Sequence, residues 1–142
     1  MLVLDASVTM AWGLPDETSE FAQAVLVEVQ ASGARVPALW VTEVLNVALV
    51  AERRKRFTAA EAEQFLHMLA QLHSSRKISV IESNPTAAFS GILPLARAHG
   101  LPAYDAVYLH LAVRASLPLA TTDKALKSAA KHAGVRLWAP AI

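Results

Sequence analysis

Apolar and polar positions alternate between two textures along the chain. Short, almost wholly apolar runs read as strands: LVLD at 2–5, ARVP at 34–37, ISVIE at 78–82 and LPLAT at 117–121. Between them lie longer segments with apolar residues three and four apart, which read as helices. Ala6 to Trp12 is a first helical stretch that must stop before Pro15. Asp16 is placed to cap the next helix, whose apolar face is Phe21, Ala22, Val25, Leu26 and Val29 and whose end is Gly33. A strongly apolar helix is expected from Ala38 to Arg54. Thr58 with Glu61 three residues on forms a capping box for a helix reaching about His73. Asn84 and Pro85 open a helix that ends near His99 and Gly100, and Pro102 opens another through Ala115. Thr122 or Asp123 starts a last helix, and VRLW at 135–138 offers a fifth short strand.

Strands that alternate with helices predict an α/β fold with a parallel sheet covered on both faces. No repeat, linker or low-complexity segment interrupts the pattern, so residues 1–142 are expected to form one domain. In such sheets ligands bind in the crevice beyond the carboxyl ends of the strands.

Four acids stand alone in apolar surroundings: Asp5 in LVLDAS, Glu43 in LWVTEVLNVALVA, Asp105 in PAYDAVYLHLA and Asp123 in LATTDKAL. An ionised carboxylate taken out of water needs a partner, and a divalent cation can serve several at once. Asp5 closes the first strand and Asp123 follows the fourth, which puts both at the carboxyl edge of a parallel sheet. Asp105 falls in the first turn of a core-packed helix. Leu39, Glu43, Asn46 and Val50 share one helical line that is expected to face inward, with Glu43 and Asn46 as a polar notch. Each acid also has a simpler reading. Asp5 is a natural turn or cap residue, and Asp105 or Asp123 near a helix N-terminus would complement the macrodipole, worth ~0.3–1 kcal/mol each. Glu43 resists that treatment, because its helix offers no cation before Arg53 and only an arginine from elsewhere in the fold would pair with it. Glu82 also follows a strand, but Ser83 and Asn84 after it suit a solvated turn. Asp16, Glu17, Glu20, Glu52, Glu61 and Glu63 occupy polar or cap positions. The four isolated acids together point to a metal-dependent hydrolase.

Composition narrows this further. A hydrophobic share of 54% and a mean hydropathy of +0.35 fit a doubly covered sheet and an oligomer interface, so a homodimer is expected. Thirteen basic residues against twelve acidic ones give a net charge of +1, so any nucleic-acid binding must use local charge. There is no cysteine, which excludes disulfides and thiolate chemistry and fits a cytoplasmic setting. Neither a signal peptide nor a membrane-spanning run is read, and the five histidines lack metal-binding spacing. Arg53, Arg54, Lys55 and Arg56 read as a solvated helix end that could also touch phosphates, while Lys124 beside Asp123 is better placed for that contact. Trp12, Trp40 and Trp138 read as core, Trp12 with the alternative of lining a groove for a partner.

LDAS, PALWVTEVLNVA, LPAYDAVYLHLA and LATTDKAL, in this order and spacing over nearly the whole chain, resemble the PIN-domain ribonucleases, and among them the VapC toxins of toxin–antitoxin pairs. The resemblance implies a three-layer α/β/α sandwich and Mg²⁺- or Mn²⁺-dependent hydrolysis of RNA phosphodiesters, held in check by a small VapB-like antitoxin. Asp5, Glu43, Asp105 and Asp123 match the family's four acids, Thr121 its hydroxyl residue before the last acid, and Asn46 a polar residue after the glutamate. Ser7 and Thr121 are candidates to position water or phosphate, although both are also natural helix caps.

Three other classes share part of this pattern. A receiver domain also gathers acids around Mg²⁺, but it resembles a pattern with adjacent acids after the first strand, where LDAS has one. A haloacid-dehalogenase phosphatase needs a second Asp where Ser7 stands. A PIN fold that binds RNA or a partner without cleaving is the third, and the intact set of four acids argues against it.

Overall fold

The computed structural model describes residues Met1 to Ala141. Four strands, β1 (Leu2–Leu4), β2 (Ala34–Pro37), β3 (Ile78–Ile81) and β4 (Leu119–Ala120), form a sheet in the order β3-β2-β1-β4. Every neighbouring pair is parallel. Among the described residues seven α-helices flank the sheet: α1 (Ala6–Ala11), α2 (Glu20–Ser32), α3 (Leu39–Arg53), α4 (Ala59–Ser74), α5 (Pro85–His99), α6 (Ala103–Ala115) and α7 (Lys124–His132). This is the α/β/α arrangement expected from the sequence.

The strand order has a direct consequence for function. From β1 the chain steps outward to β2 and then β3, and it returns across the sheet to place β4 on the other side of β1. Right-handed crossovers therefore put α1 to α4 over one face and α5 and α6 over the other. The strand order reverses between β1 and β4, and their carboxyl ends open a crevice there. Leu2, Leu4, Val8, Leu109, Leu119 and Leu126 are fully buried around this seam, so the crevice rests on the best-packed part of the core.

Most helix boundaries follow local chemistry. Thr58 and Glu61 form the reciprocal capping box of α4, and Asn84 accepts from the Ala87 amide at 2.8 Å to cap α5 with Pro85 in its first turn. Gly33 ends α2 at φ 89°, a conformation that costs other residues strain. Asp16 does not cap α2. Pro15 to Glu17 form a short 3₁₀ turn, and the cap is Ser19, which accepts from the Ala22 amide at 3.1 Å. Asp16 instead receives Arg56 in a two-pronged pair at 2.9 and 3.1 Å, which draws that turn toward the end of α3.

Two other expectations are corrected. VRLW does not form a fifth strand: only Leu137 bridges to Leu119, and Pro140 close behind has no amide N–H to donate to a ladder. The line Leu39, Glu43, Asn46 and Val50 does not face inward. The buried face of α3 is Trp40, Val44, Ala48 and Ala51, with Glu43 at its half-buried margin and Asn46 exposed. Apolar residues surround this helix on nearly every side, so periodicity alone could not select the face, and Val41, Leu45 and Leu49 are left as an exposed outer stripe. No helix among the described residues is long and apolar enough to cross a membrane.

Candidate active site

Asp5 is the first residue beyond β1 and the extended N-cap residue of α1, and Asp123 holds the same place between β4 and α7. Both are carried to the crevice because strands need a non-helical residue before each helix can start. The Asp5 amide donates to the Ala120 carbonyl at 3.0 Å, which fixes the two strand ends against each other. Asp123 does cap its helix, accepting from the Leu126 amide through Oδ1 at 2.8 Å. Asp5 caps nothing with its side chain.

The Asp5 carboxylate is held instead by two hydroxyls that reach the same oxygen. Ser7 Oγ donates to Oδ2 at 2.6 Å and Thr121 Oγ1 donates to it at 2.7 Å. Each hydroxyl also accepts an amide from the loop between β4 and α7, Ser7 from Thr122 at 3.2 Å and Thr121 from Asp123 at 3.0 Å. Neither residue is a helix cap, since Asp5 and Asp123 hold those positions. Behind them the fully buried Thr9 hydroxyl donates to the Asp5 carbonyl at 3.2 Å and accepts from Trp40 Nε1 at 2.9 Å, tying α3 to α1.

Glu43 finds its partner in a tyrosine rather than an arginine. The buried Tyr108 hydroxyl donates to Glu43 Oε1, and because Tyr108 lies three residues after Asp105, α6 sends both groups into the crevice from one side. Burial raises the Asp5 carboxyl above the ordinary range, against the two hydroxyls and the Ala6 amide, with the Asp123 charge adding to the rise. Glu43 is raised first by desolvation and then by Asp5 and Asp105, with the Tyr108 bond opposing. Asp105 is raised by desolvation, then by Asp123 and Asp5. Desolvation and the adjoining Glu43 charge push the Tyr108 hydroxyl far up, so it remains a donor.

Asp5, Glu43, Asp105 and Asp123 line one cavity of about 340 Å³, together with Ser7 and Glu17. Its walls carry five carboxylates and no lysine or arginine. Lys124 begins α7 next to Asp123 but is exposed and outside the lining, as is Asn46. Sequence reading missed Glu17, Thr9 and Tyr108. Glu17 lines the cavity from the 3₁₀ turn that Arg56 pairs with, Nη2 lying 3.7 Å from Glu17 Oε2. Thr9 and Tyr108 sit among apolar neighbours, and a lone hydroxyl in a helix face carries little signal.

Among the described residues no three acids or histidines lie close enough together to ligate one ion as they stand. The donor set nonetheless fits a hard divalent cation in kind: all are carboxylate oxygens, Mg²⁺ retains several waters and needs few direct ligands, and among the described residues no cationic side chain pairs with Asp5, Glu43, Asp105 or Asp123.

A family model for the PIN domain matches residues 2–132. The fold is similar to PAE2754 from Pyrobaculum aerophilum, with a TM-score of 0.66 and 24% identity over 90% of this chain and 78% of that one. It is also similar to FitAcB from Neisseria gonorrhoeae, with a TM-score of 0.61 and 21% identity over 99% of this chain and 98% of that one. No curated protein matches the sequence. The chain belongs to the PIN-domain family, whose fold is in general that of a nuclease.

Proposed function

We propose that this protein is a Mg²⁺-dependent endoribonuclease, able to use Mn²⁺, that hydrolyses RNA phosphodiester bonds. The observation that carries the reading is the single cavity in which Asp5, Glu43, Asp105 and Asp123 meet with no cationic side chain. Asp5, Asp123, Glu43 and Asp105 are the residues that would hold the ion. When bound, it would neutralise phosphoryl charge, lower the pKa of the attacking water and assist the leaving oxygen.

The chain's own groups support that chemistry by position. Ser7 and Thr121 occupy Oδ2 of Asp5, so Oδ1 is the oxygen left to face a ligand. Tyr108 fixes Glu43 through one oxygen in the same manner. Lys124 and Asn46, exposed beside the mouth, are proposed to meet the flanking phosphate or sugar. The toxin role in the cytoplasm, with a VapB-like antitoxin as partner, rests on the resemblance of the sequence motifs. Homodimerisation is supported by exposed apolar groups, Phe89 and Leu93 on α5 and the Val41, Leu45 and Leu49 stripe on α3. A PIN fold that binds RNA without cutting it is the remaining alternative.

The test is cleavage of mixed cellular RNA by the purified protein with Mg²⁺, with excess EDTA, and with Asp5→Asn. Cutting is expected only in the first condition. Equal cutting in all three would refute the metal mechanism, and binding without cutting in Mg²⁺ would favour the alternative.

A further inference from the structure

A second cavity, of about 450 Å³, lies between the sheet and the α5–α6 pair. Its floor is Arg35 and Pro37 of β2 with Ile81 of β3, residues that share one face because side chains alternate along each strand and Pro37 pairs in register with Ile81. Its wall is α6, which contributes His110 and Arg114 one turn apart. Arg35 is half-buried and Arg114 exposed. Among the described residues the ion pairs join Met1 to Glu28 and Arg56 to Asp16 and Glu17, so neither cavity arginine has a carboxylate partner. Glu82 stands exposed on the rim without reaching them.

A guanidinium held in a cavity without a carboxylate paired to it suits an anion, and Arg is the side chain best matched to phosphate. Ile92, Val107 and Leu111 supply an apolar wall beside the two arginines, the pairing of surfaces a nucleotide presents. Burial and then the Arg114 charge lower the His110 pKa, and the ring packs so closely on α5 that a Cβ at Gly91 would lie 2.2 Å from its Nε2. The cavity also shares helices α3 and α6 with the carboxylates. Leu39 on its edge is one turn before Glu43 on α3, and Val107 is two residues after Asp105 on α6.

We propose that this cavity is a subsite for one nucleotide of the RNA strand, its phosphate on Arg35 and Arg114 and its base against the apolar wall; the assignment to RNA rests on the nuclease reading above. The two cavities then form one track, acidic where the bond is cut and basic one nucleotide away.

The test measures binding of a labelled short single-stranded RNA in EDTA, where no cleavage intervenes. Arg35→Met is expected to weaken binding about tenfold and to lower the slope of log K against log salt by about one, as loss of a phosphate contact does. Arg114→Met should act in the same direction, and being exposed it keeps the test open if Arg35→Met does not fold. Arg136→Met, which removes the same charge from the segment after α7, outside this cavity, should leave binding unchanged. Wild-type binding by both cavity variants would overturn the subsite. A free nucleoside monophosphate that binds as tightly as the RNA, and does so only with Arg35 present, would uphold the pocket and overturn its assignment to the strand. Arginine-dependent binding without any cleavage in Mg²⁺ would refute the nuclease reading and leave the pocket standing.

Discussion

Thr121 and Asp5 are 116 residues apart in the chain and are joined by a hydrogen bond of 2.7 Å across the seam between β4 and β1. The same threonine hydroxyl accepts the Asp123 amide, so one side chain orders two of the four acids. Thr121→Val keeps shape and removes both bonds. It should cost about 1–3 kcal/mol of stability, since a buried carboxylate and an amide each lose a partner, and lower cleavage at least tenfold. Melting and cleavage assays on the same preparation check both effects, and unchanged cleavage would show that Ser7 alone suffices to hold Asp5.

Tyr108 acts on Glu43 in the same way. Tyr108→Phe leaves the ring in the core and removes only the donor, so the fold should survive. Its effect should appear as a roughly 10–100-fold higher Mn²⁺ requirement for cleavage, the range typical when a partner of a ligating group is lost. A full metal titration separates this from a lower maximal rate, and an unshifted titration would count against a positioning role.

Asp5, Glu43 and Asp105 keep their protons to higher pH in the folded protein than in the unfolded chain. The native state therefore binds more protons from about pH 4 upward, and stability in EDTA should fall as pH rises until these groups have ionised. Asp16, lowered by Arg56, works in the opposite direction at the surface. Mg²⁺ or Mn²⁺ should raise the melting temperature at pH 7, because an ion that binds only the folded arrangement of these carboxylates stabilises it. Asp5→Asn should flatten the pH dependence, raise the melting temperature in EDTA and shrink the metal-induced rise. A melting curve insensitive to both metal and pH would argue against a cation site.

Gly13 lies against the ring of buried Phe65, and a Cβ there would come within 2.6 Å of it. Phe65 also packs on Phe57, which limits any retreat. Gly13→Ala should destabilise by about 1–3 kcal/mol, and Phe65→Leu in that background should recover part of the loss. Chemical denaturation of the single and double variants measures this, and additive losses would contradict the clash.

The chain's pattern alone carried the α/β class, the order of the elements, the capping box of α4 and the isolation of the four acids, because each is a local property. Short strands and caps are decided by neighbours within a few residues, and a charge in an apolar run stands out without any fold. What the acids meet was not legible. Glu43 is satisfied by Tyr108, 65 residues on, and Asp5 by Thr121, and both bonds exist only because β4 returns beside β1 and α6 crosses the sheet. The inward face of α3 was hidden for a related reason: with apolar residues all round, only packing on α1 and the sheet selects Trp40, Val44, Ala48 and Ala51. Glu17 joined the cavity from the turn that Arg56 pairs with, and Arg35 gained its cavity from α6. Sequence determined which residues are costly to bury, since that is a matter of side-chain chemistry, while tertiary structure alone decided which of them share a cavity, since that depends on strand order.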